Sequence, residues 1–449
     1  MNINSRQHAL LQRTFLDYQP TESFLDNPLV VQRAQGLYYW DTDGKRYFDA
    51  IGGIFVAILG HGHPRVVEAM QKQLEVLSFA PPMHGTADVT LDFVERLSQV
   101  TPGDLNFAKS FSGGSESIEA ALKFARQYFR QSGRTSKYKF ISRYQGYHGG
   151  TYGAMAASGT GKRKTPFEPH MTGFLKVFPP TYYRDRFSSW EECNRFCAQL
   201  FEDVIISEDP DTVAGIIVEP IGNTGGIITP TEEYFHMLRD ICDRHDVLLI
   251  FDEIITGYAR TGSMFAAQTF GTTPDIICGG KALSSGAIPL GALTAREGMA
   301  EAFRGDPEEA RNFAHGHTYA GNPLACAVGI AVLDEIEASD LCARALERGA
   351  YLQTKLQELT KHGVVREVRG RGMLLGVELV RDTHTMEPFP ELGIALKKTA
   401  LENGLIMRID PNWFAVAPAL TISEGEIDEL YSLIDKSISD ALERVHHEK

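Results

Sequence analysis

VLLIFDEIITGYARTGSMFAAQTFGTTPDIICGGK, residues Val247 to Lys281, contains two apolar runs that each lead into one charged side chain. Val247 to Phe251 is β-branched, aliphatic and aromatic without a polar break, the pattern of a strand buried on both faces of a parallel sheet. Asp252 then falls at the carboxyl end of that strand, where open α/β sheets bind their ligands. The second run, Ile276 to Cys278, passes through Gly279 and Gly280 to Lys281, which emerges between apolar flanks in IICGGKAL. A lysine so placed loses hydration. Burial disfavours the ammonium form, leaving a neutral amine that can attack a carbonyl.

An acid and a desolvated lysine together fit pyridoxal phosphate, a cofactor that needs a lysine for its Schiff base and a carboxylate beside its pyridine nitrogen. Each residue alone has a plainer reading, Asp252 as a turn or helix cap and Lys281 as a solvated cation. Their joint placement favours the cofactor.

Working outward, 449 residues exceed one simple core, and two domains are expected. The net charge of −14 repels phosphate backbones, so nucleic acid is not an expected partner. The six cysteines lack CxxC pairs and zinc spacing and read as reduced thiols. His61 with His63, and His315 with His317, have no acidic or cysteine ligands at usable spacing, so turn residues are expected and no metal. With no signal-like N-terminus and no run of about 18 apolar residues, a cytoplasmic protein without membrane association is expected.

The residues to about Asn27 are polar with scattered aromatics and read as an arm packed on another subunit. A hairpin is expected around Thr42-Asp43-Gly44, and a helix just after Pro64, where Val66, Val67, Met70, Leu74 and Leu77 recur at helical spacing. Between Leu105 and Arg130 the order is strand, glycine turn, helix. In the turn, Gly113 and Gly114 let backbone NH groups approach an anion, and Ser115 adds a hydroxyl at the positive helix end; the same residues also serve as a plain helix cap. The strand Lys139 to Ser142 runs into a glycine loop with Tyr147 and His148 at its tip, where an aromatic either covers a cofactor ring or fills a local gap. ASGTGKRKT fails the Walker pattern at Ala156 and Arg163 and reads as a solvated loop. Strand Ala214 to Pro220, helix Pro230 to His245 and strand Val247 to Phe251 form a βαβ unit, so a mainly parallel sheet with helices on both faces is expected.

In this order the pieces resemble the class III aminotransferases, a branch of the fold type I pyridoxal-phosphate enzymes. The resemblance spans nearly the whole chain. It rests on GHGHP (Gly60 to Pro64), SGGSES (Ser112 to Ser117), GYHG (Gly146 to Gly149), VEP (Val218 to Pro220), LIFDEIITGYARTG (Leu249 to Gly262), GGKALSSGAIPLGA (Gly279 to Ala292) and HGHTYAGNPLACA (His315 to Ala327). It implies an α/β fold: a large domain (66–330) with a mainly parallel seven-stranded sheet, and a smaller α+β domain built from both termini (1–65 and 331–449). It further implies Lys281 and Asp252 as catalytic residues. Tyr147 and Ile254 would lie on the two ring faces, with His148 and Glu219 beside the cofactor. Gly114, Ser115 and Thr318 would hold the phosphate, Thr318 coming from the neighbouring subunit of a homodimer at least, with a tetramer left open.

Departures point to a subgroup. Relatives that use 2-oxoglutarate usually read EP-x-QGEGG and place an arginine before the late (A/V)-P-x-L segment; here Thr224 and Ala415 stand in those places. Arg408, ten residues before Pro418, instead resembles the amine:pyruvate or omega-transaminases, whose arginine swings in to pair with a substrate carboxylate and out to admit an apolar amine. Phe55 falls where that subgroup often has a pocket aromatic. The expected activity is ping-pong transfer of an amino group from an amine or omega-amino acid to a small 2-oxo acid, pyruvate or glyoxylate. Rival readings are a 2-oxoglutarate-dependent aminotransferase, a racemase, aminomutase or decarboxylase on the same cofactor, and, less favoured, a non-catalytic regulator.

Overall fold

Val31–Gln35 (β1), Tyr38–Asp41 (β2) and Arg46–Asp49 (β3) form an antiparallel meander in the computed structural model, which describes residues 4–447 apart from 27, 182, 184 and 185. The turn expected at Thr42-Asp43-Gly44 is closed by Asp41, whose Oδ1 accepts from the amides of Asp43 and Lys45 at 2.9 Å each. The helix after the glycine-histidine segment, Pro64–Val76, starts with proline at its first position. Val66 is buried, whereas Val67 (41% exposed) and Leu74 (54%) stand open to solvent.

The central sheet combines Phe107–Phe111 (β4), Lys139–Arg143 (β5), Phe174–Val177 (β6), Val213–Val218 (β7), Leu248–Asp252 (β8), Ile276–Gly279 (β9) and Gly291–Ala295 (β10) in the order β4-β10-β9-β8-β7-β5-β6. All neighbours from β9 to β6 pair in parallel, and β10 runs against both of its flanks. The result is the mainly parallel seven-stranded sheet that the resemblance implies. Every residue of β7 and β8 is buried because the sheet is covered twice. Ile216, Leu249 and Phe251 enter one apolar core, while Ile217, Leu248 and Ile250 enter the other. Helix Glu232–Arg244 makes the crossover from β7 to β8 on the first face, and helix Gly114–Gln131 covers the second. In the latter Ile118, Ala121, Leu122, Ala125 and Phe129 are buried along one face.

Toward the C-terminus, Val365–Arg371 (β11), Leu374–Leu379 (β12), Leu405–Ile406 (β13), Arg408–Asp410 (β14) and Trp413–Val416 (β15) follow. Four of them form an antiparallel sheet in the order β11-β12-β15-β14. β13 instead pairs in parallel with β3, so both ends of the chain build one small sheet. Helix Glu424–His447 closes the chain against helix Pro390–Glu402. Among the described residues no helix is long and apolar enough to cross a membrane.

The N-terminal segment, whose residues 1–3 and 27 lie outside the described ones, forms helices Ser5–Leu11 and Thr21–Leu25, and the Tyr18 hydroxyl between them lies 3.3 Å from that of Tyr147. One expectation changes. The basic segment expected as a solvated loop is a short helix, Gly161–Lys164, from which Arg163 turns inward over Tyr18 and Tyr147. Aromatic faces attract a guanidinium, which is why this one leaves bulk water.

Candidate active site

Asp252 ends β8 and Lys281 follows β9, and because these strands are parallel neighbours both side chains reach the same edge of the sheet. Gly114, Ser115, Tyr147, His148, Glu219, Asp252, Ile254 and Lys281 line one cavity there. Eight residues separated by up to 167 positions in the chain are thus brought together.

Asp252 is 4% exposed and doubly held. Its Oδ2 lies 2.7 Å from His148 Nδ1, and its Oδ1 accepts the Ile254 amide at 3.2 Å. A carboxylate can only accept, so Nδ1 is the protonated nitrogen of His148. Those contacts orient the carboxylate.

Lys281 opens a tight turn with φ of +42°, a left-handed conformation that costs a non-glycine residue about 1–3 kcal/mol. Burial pushes its ammonium pKa down, Asp252 and Glu219 pull it back up, and Arg408 pushes it down again. Glu219, just past β7, accepts the Tyr147 amide at 3.2 Å and the Asn223 amide at 3.3 Å, and burial raises its pKa. The hydroxyl of Tyr147 is pushed up to about 12, first by burial and then by its hydrogen bond to Tyr18.

At the other end of the cavity, Gly113 leads into helix Gly114–Gln131. A Cβ on Gly114 would come 2.7 Å from Ile254 Cδ1, and one on Gly149 2.5 Å from Ser115 Oγ, so the turn depends on both glycines. Ser115 Oγ accepts the Gly150 amide at 3.1 Å. Free helix N-terminal NH groups beside a hydroxyl form an anion cradle.

Three expected residues stand apart. Thr318 is exposed and does not line the cavity. Phe55, 1% exposed, lies in the apolar core with φ of +67°, and its neighbour Ile54 is the exposed one. Arg408 on β14 lies beside the cavity rather than on its wall, with its Nε 3.1 Å from Asp410 Oδ2 and its guanidinium carbon 4.9 Å from the Trp413 ring centroid. Directly across the ladder from Arg408 is Ala415.

Asn223 lines the cavity without having been expected; its buried Oδ1 has no partner among the described residues. It sits in EPIGNTGG, one position before Thr224, whose hydroxyl turns away to the Gln145 carbonyl at 2.7 Å. The donor set fits pyridoxal phosphate: an anion cradle, a buried carboxylate, a lysine of lowered pKa, an aromatic and an aliphatic side chain, and an unpaired amide oxygen.

The family model described as aminotransferase class-III matches residues 21–438. An omega-aminotransferase of Caulobacter vibrioides is 33% identical over 431 residues, covering 94% of this chain and 96% of that protein. A putrescine–pyruvate aminotransferase of Pseudomonas aeruginosa is 31% identical over 439 residues, covering 97% and 94%. Among solved structures, a thermostable (S)-enantioselective omega-transaminase from Thermomicrobium roseum superposes with a TM-score of 0.93 at 34% identity, covering 98% of this chain and all of that one.

Proposed function

The chain belongs to the class III aminotransferases, enzymes that depend on pyridoxal phosphate, and from that premise we propose that it moves an amino group from an amine or omega-amino acid to a small 2-oxo acid, pyruvate or glyoxylate before 2-oxoglutarate. The observation that carries this choice is the pairing of Arg408 with Ala415 across β14 and β15. The cation of that row near Lys281 is then Arg408 on β14, and Ala415 supplies no second guanidinium for the distal carboxylate of 2-oxoglutarate. The likeness to the Pseudomonas putrescine–pyruvate enzyme supports the same acceptor.

Bound pyridoxal phosphate supplies the carbon that takes up the amino group and the conjugated ring that accepts the electron pair left when a substrate C–H bond breaks. Asp252, oriented by His148 and the Ile254 amide, would hold the ring nitrogen protonated. Tyr147 and Ile254 would lie on the ring faces, and Gly114 and Ser115 would hold the phosphate. Lys281 Nζ would take the substrate proton as base and return it as acid, and burial, by lowering its pKa, favours the free amine that the first step needs. Arg408 would meet a substrate carboxylate, and Phe55 would act from behind the pocket wall.

In the same reading the protein is a cytoplasmic homodimer with shared sites, residues 66–330 forming the cofactor-binding domain and residues 1–65 with 331–449 the smaller one. The open apolar face of Val67, Leu74 and Leu77, continued by Phe79 and Tyr319, supports the dimer, since Tyr319 adjoins Thr318. Initial rates over a grid of 1-phenylethylamine or β-alanine against pyruvate, glyoxylate and 2-oxoglutarate test the reading. Parallel double-reciprocal lines with the two small acids are expected; intersecting lines, or turnover with 2-oxoglutarate alone, would count against it.

A further inference from the structure

Arg408 and Asp410 stand two positions apart on β14, so their side chains share one face of the sheet. Trp413 is the cross-strand partner of Asp410, which puts the indole on that face as well. The guanidinium is therefore held in a frame of two parts: one hydrogen bond, from Nε to Asp410 Oδ2, and one aromatic ring, that of Trp413. Ala415, opposite Arg408, is too small to hold the side chain in place or to block its movement.

Resting on the reading of Arg408 as the carboxylate-binding residue, we propose that Asp410 and Trp413 form a dock that keeps the Arg408 guanidinium out of the substrate space until a substrate carboxylate displaces it. Asp410 is then a positioning residue that sets the preference between carboxylate-bearing and carboxylate-free substrates. The energetics suit a release rather than a lock. Asp410 accepts through one oxygen and its side chain is 39% exposed, against 17% for Arg408, so solvent weakens the pair. A substrate carboxylate in the cavity can accept two parallel hydrogen bonds from the same guanidinium. The two carboxylates compete for one cation, and the share of molecules with Arg408 free scales the apparent affinity for the carboxylate-bearing substrate.

The test uses the holoenzyme and its Asp410→Asn variant, with KM and kcat measured for pyruvate and β-alanine on one side and 1-phenylethylamine on the other. Loosening the dock should lower KM for the carboxylate-bearing substrates by about two- to fivefold, the size of a part-exposed ion pair, and weaken 1-phenylethylamine. Asp410→Glu, which keeps the charge, should restore much of the native ratio. Equal changes for both substrate classes, no change, or a change of opposite sign would overturn the dock. Arg408→Gln separates this proposal from its premise. If that variant leaves KM for pyruvate unchanged, the reading of Arg408 fails and takes the dock with it. If it raises KM for pyruvate while Asp410→Asn leaves the ratio as it was, only the dock fails. With both substitutions combined, Asp410→Asn should have no further effect.

Discussion

His148 Nδ1 donates to Asp252 Oδ2 at 2.7 Å, and this buried contact fixes both the tautomer of the imidazole and the orientation of the carboxylate. His148 is itself held by its backbone amide, which donates to Ser158 Oγ at 2.8 Å. The loop that carries Tyr147 is thereby tied to the end of β8. The placement of Tyr147 and that of Asp252 are therefore mechanically coupled.

Asp252→Asn keeps the shape of this contact and removes its charge. Loss of a preorganised charge at a developing one costs about 100- to 1000-fold in kcat. Single-turnover amine oxidation should fall by that factor while cofactor stays bound. His148→Ala, which frees the carboxylate without discharging it, should cost less.

Burial lowers the Lys281 pKa, so its proton leaves at lower pH than from an ordinary lysine, near 10.4. The rate at which apoenzyme captures added pyridoxal phosphate should rise with pH through that lowered value and level off above it. Asp252 pulls the pKa up, so Asp252→Asn should move the midpoint further down. A midpoint at the ordinary lysine value, or an upward shift in the variant, would contradict the placement of Lys281.

Gly114→Ala tests the anion cradle. The added methyl would meet Ile254 Cδ1 at 2.7 Å, and overpacking of this kind costs about 1–3 kcal/mol. Equilibrium dialysis should show cofactor affinity reduced by roughly 5- to 150-fold with the far-ultraviolet spectrum unchanged.

Much of the site can be read from the sequence because it sits where continuous apolar runs stop. β8 and β9 are buried on both faces, so the first charged residue of each run falls at the sheet edge, where both line the cavity. The glycine turn before helix Gly114–Gln131 is legible for the same local reason. What is not legible is long-range. Tyr18 lies 129 positions from Tyr147, and nothing in the polar arm announces which surface it covers. Arg163 looks solvated until two aromatic rings are placed beneath it. Helix Trp190–Ser207 buries Cys193, Cys197, Phe201 and Ile205, a four-residue spacing that is itself legible in the sequence. Asn223 could have been found from its place beside Thr224, but an amide reads as a turn residue when its backbone is unknown.

Leu74→Asp addresses the open apolar face of helix Pro64–Val76. Leu74 is 54% exposed, so the substitution should leave the monomer's core intact. Sedimentation should show dissociation of the dimer, and activity should fall with it if Thr318 is supplied across the interface. Dissociation with full activity would refute the shared site.

The most direct measurement is the absorbance of the purified protein reconstituted with pyridoxal phosphate, followed by titration with 1-phenylethylamine and then with pyruvate or 2-oxoglutarate. The expected result is a yellow band that the amine removes and that pyruvate, not 2-oxoglutarate, restores, with no such band in Lys281→Ala. A yellow band of equal strength and response in Lys281→Ala, or none in the native protein, would contradict Lys281 as the cofactor-linked residue, and recovery by 2-oxoglutarate alone would contradict the acceptor inferred from Arg408 and Ala415.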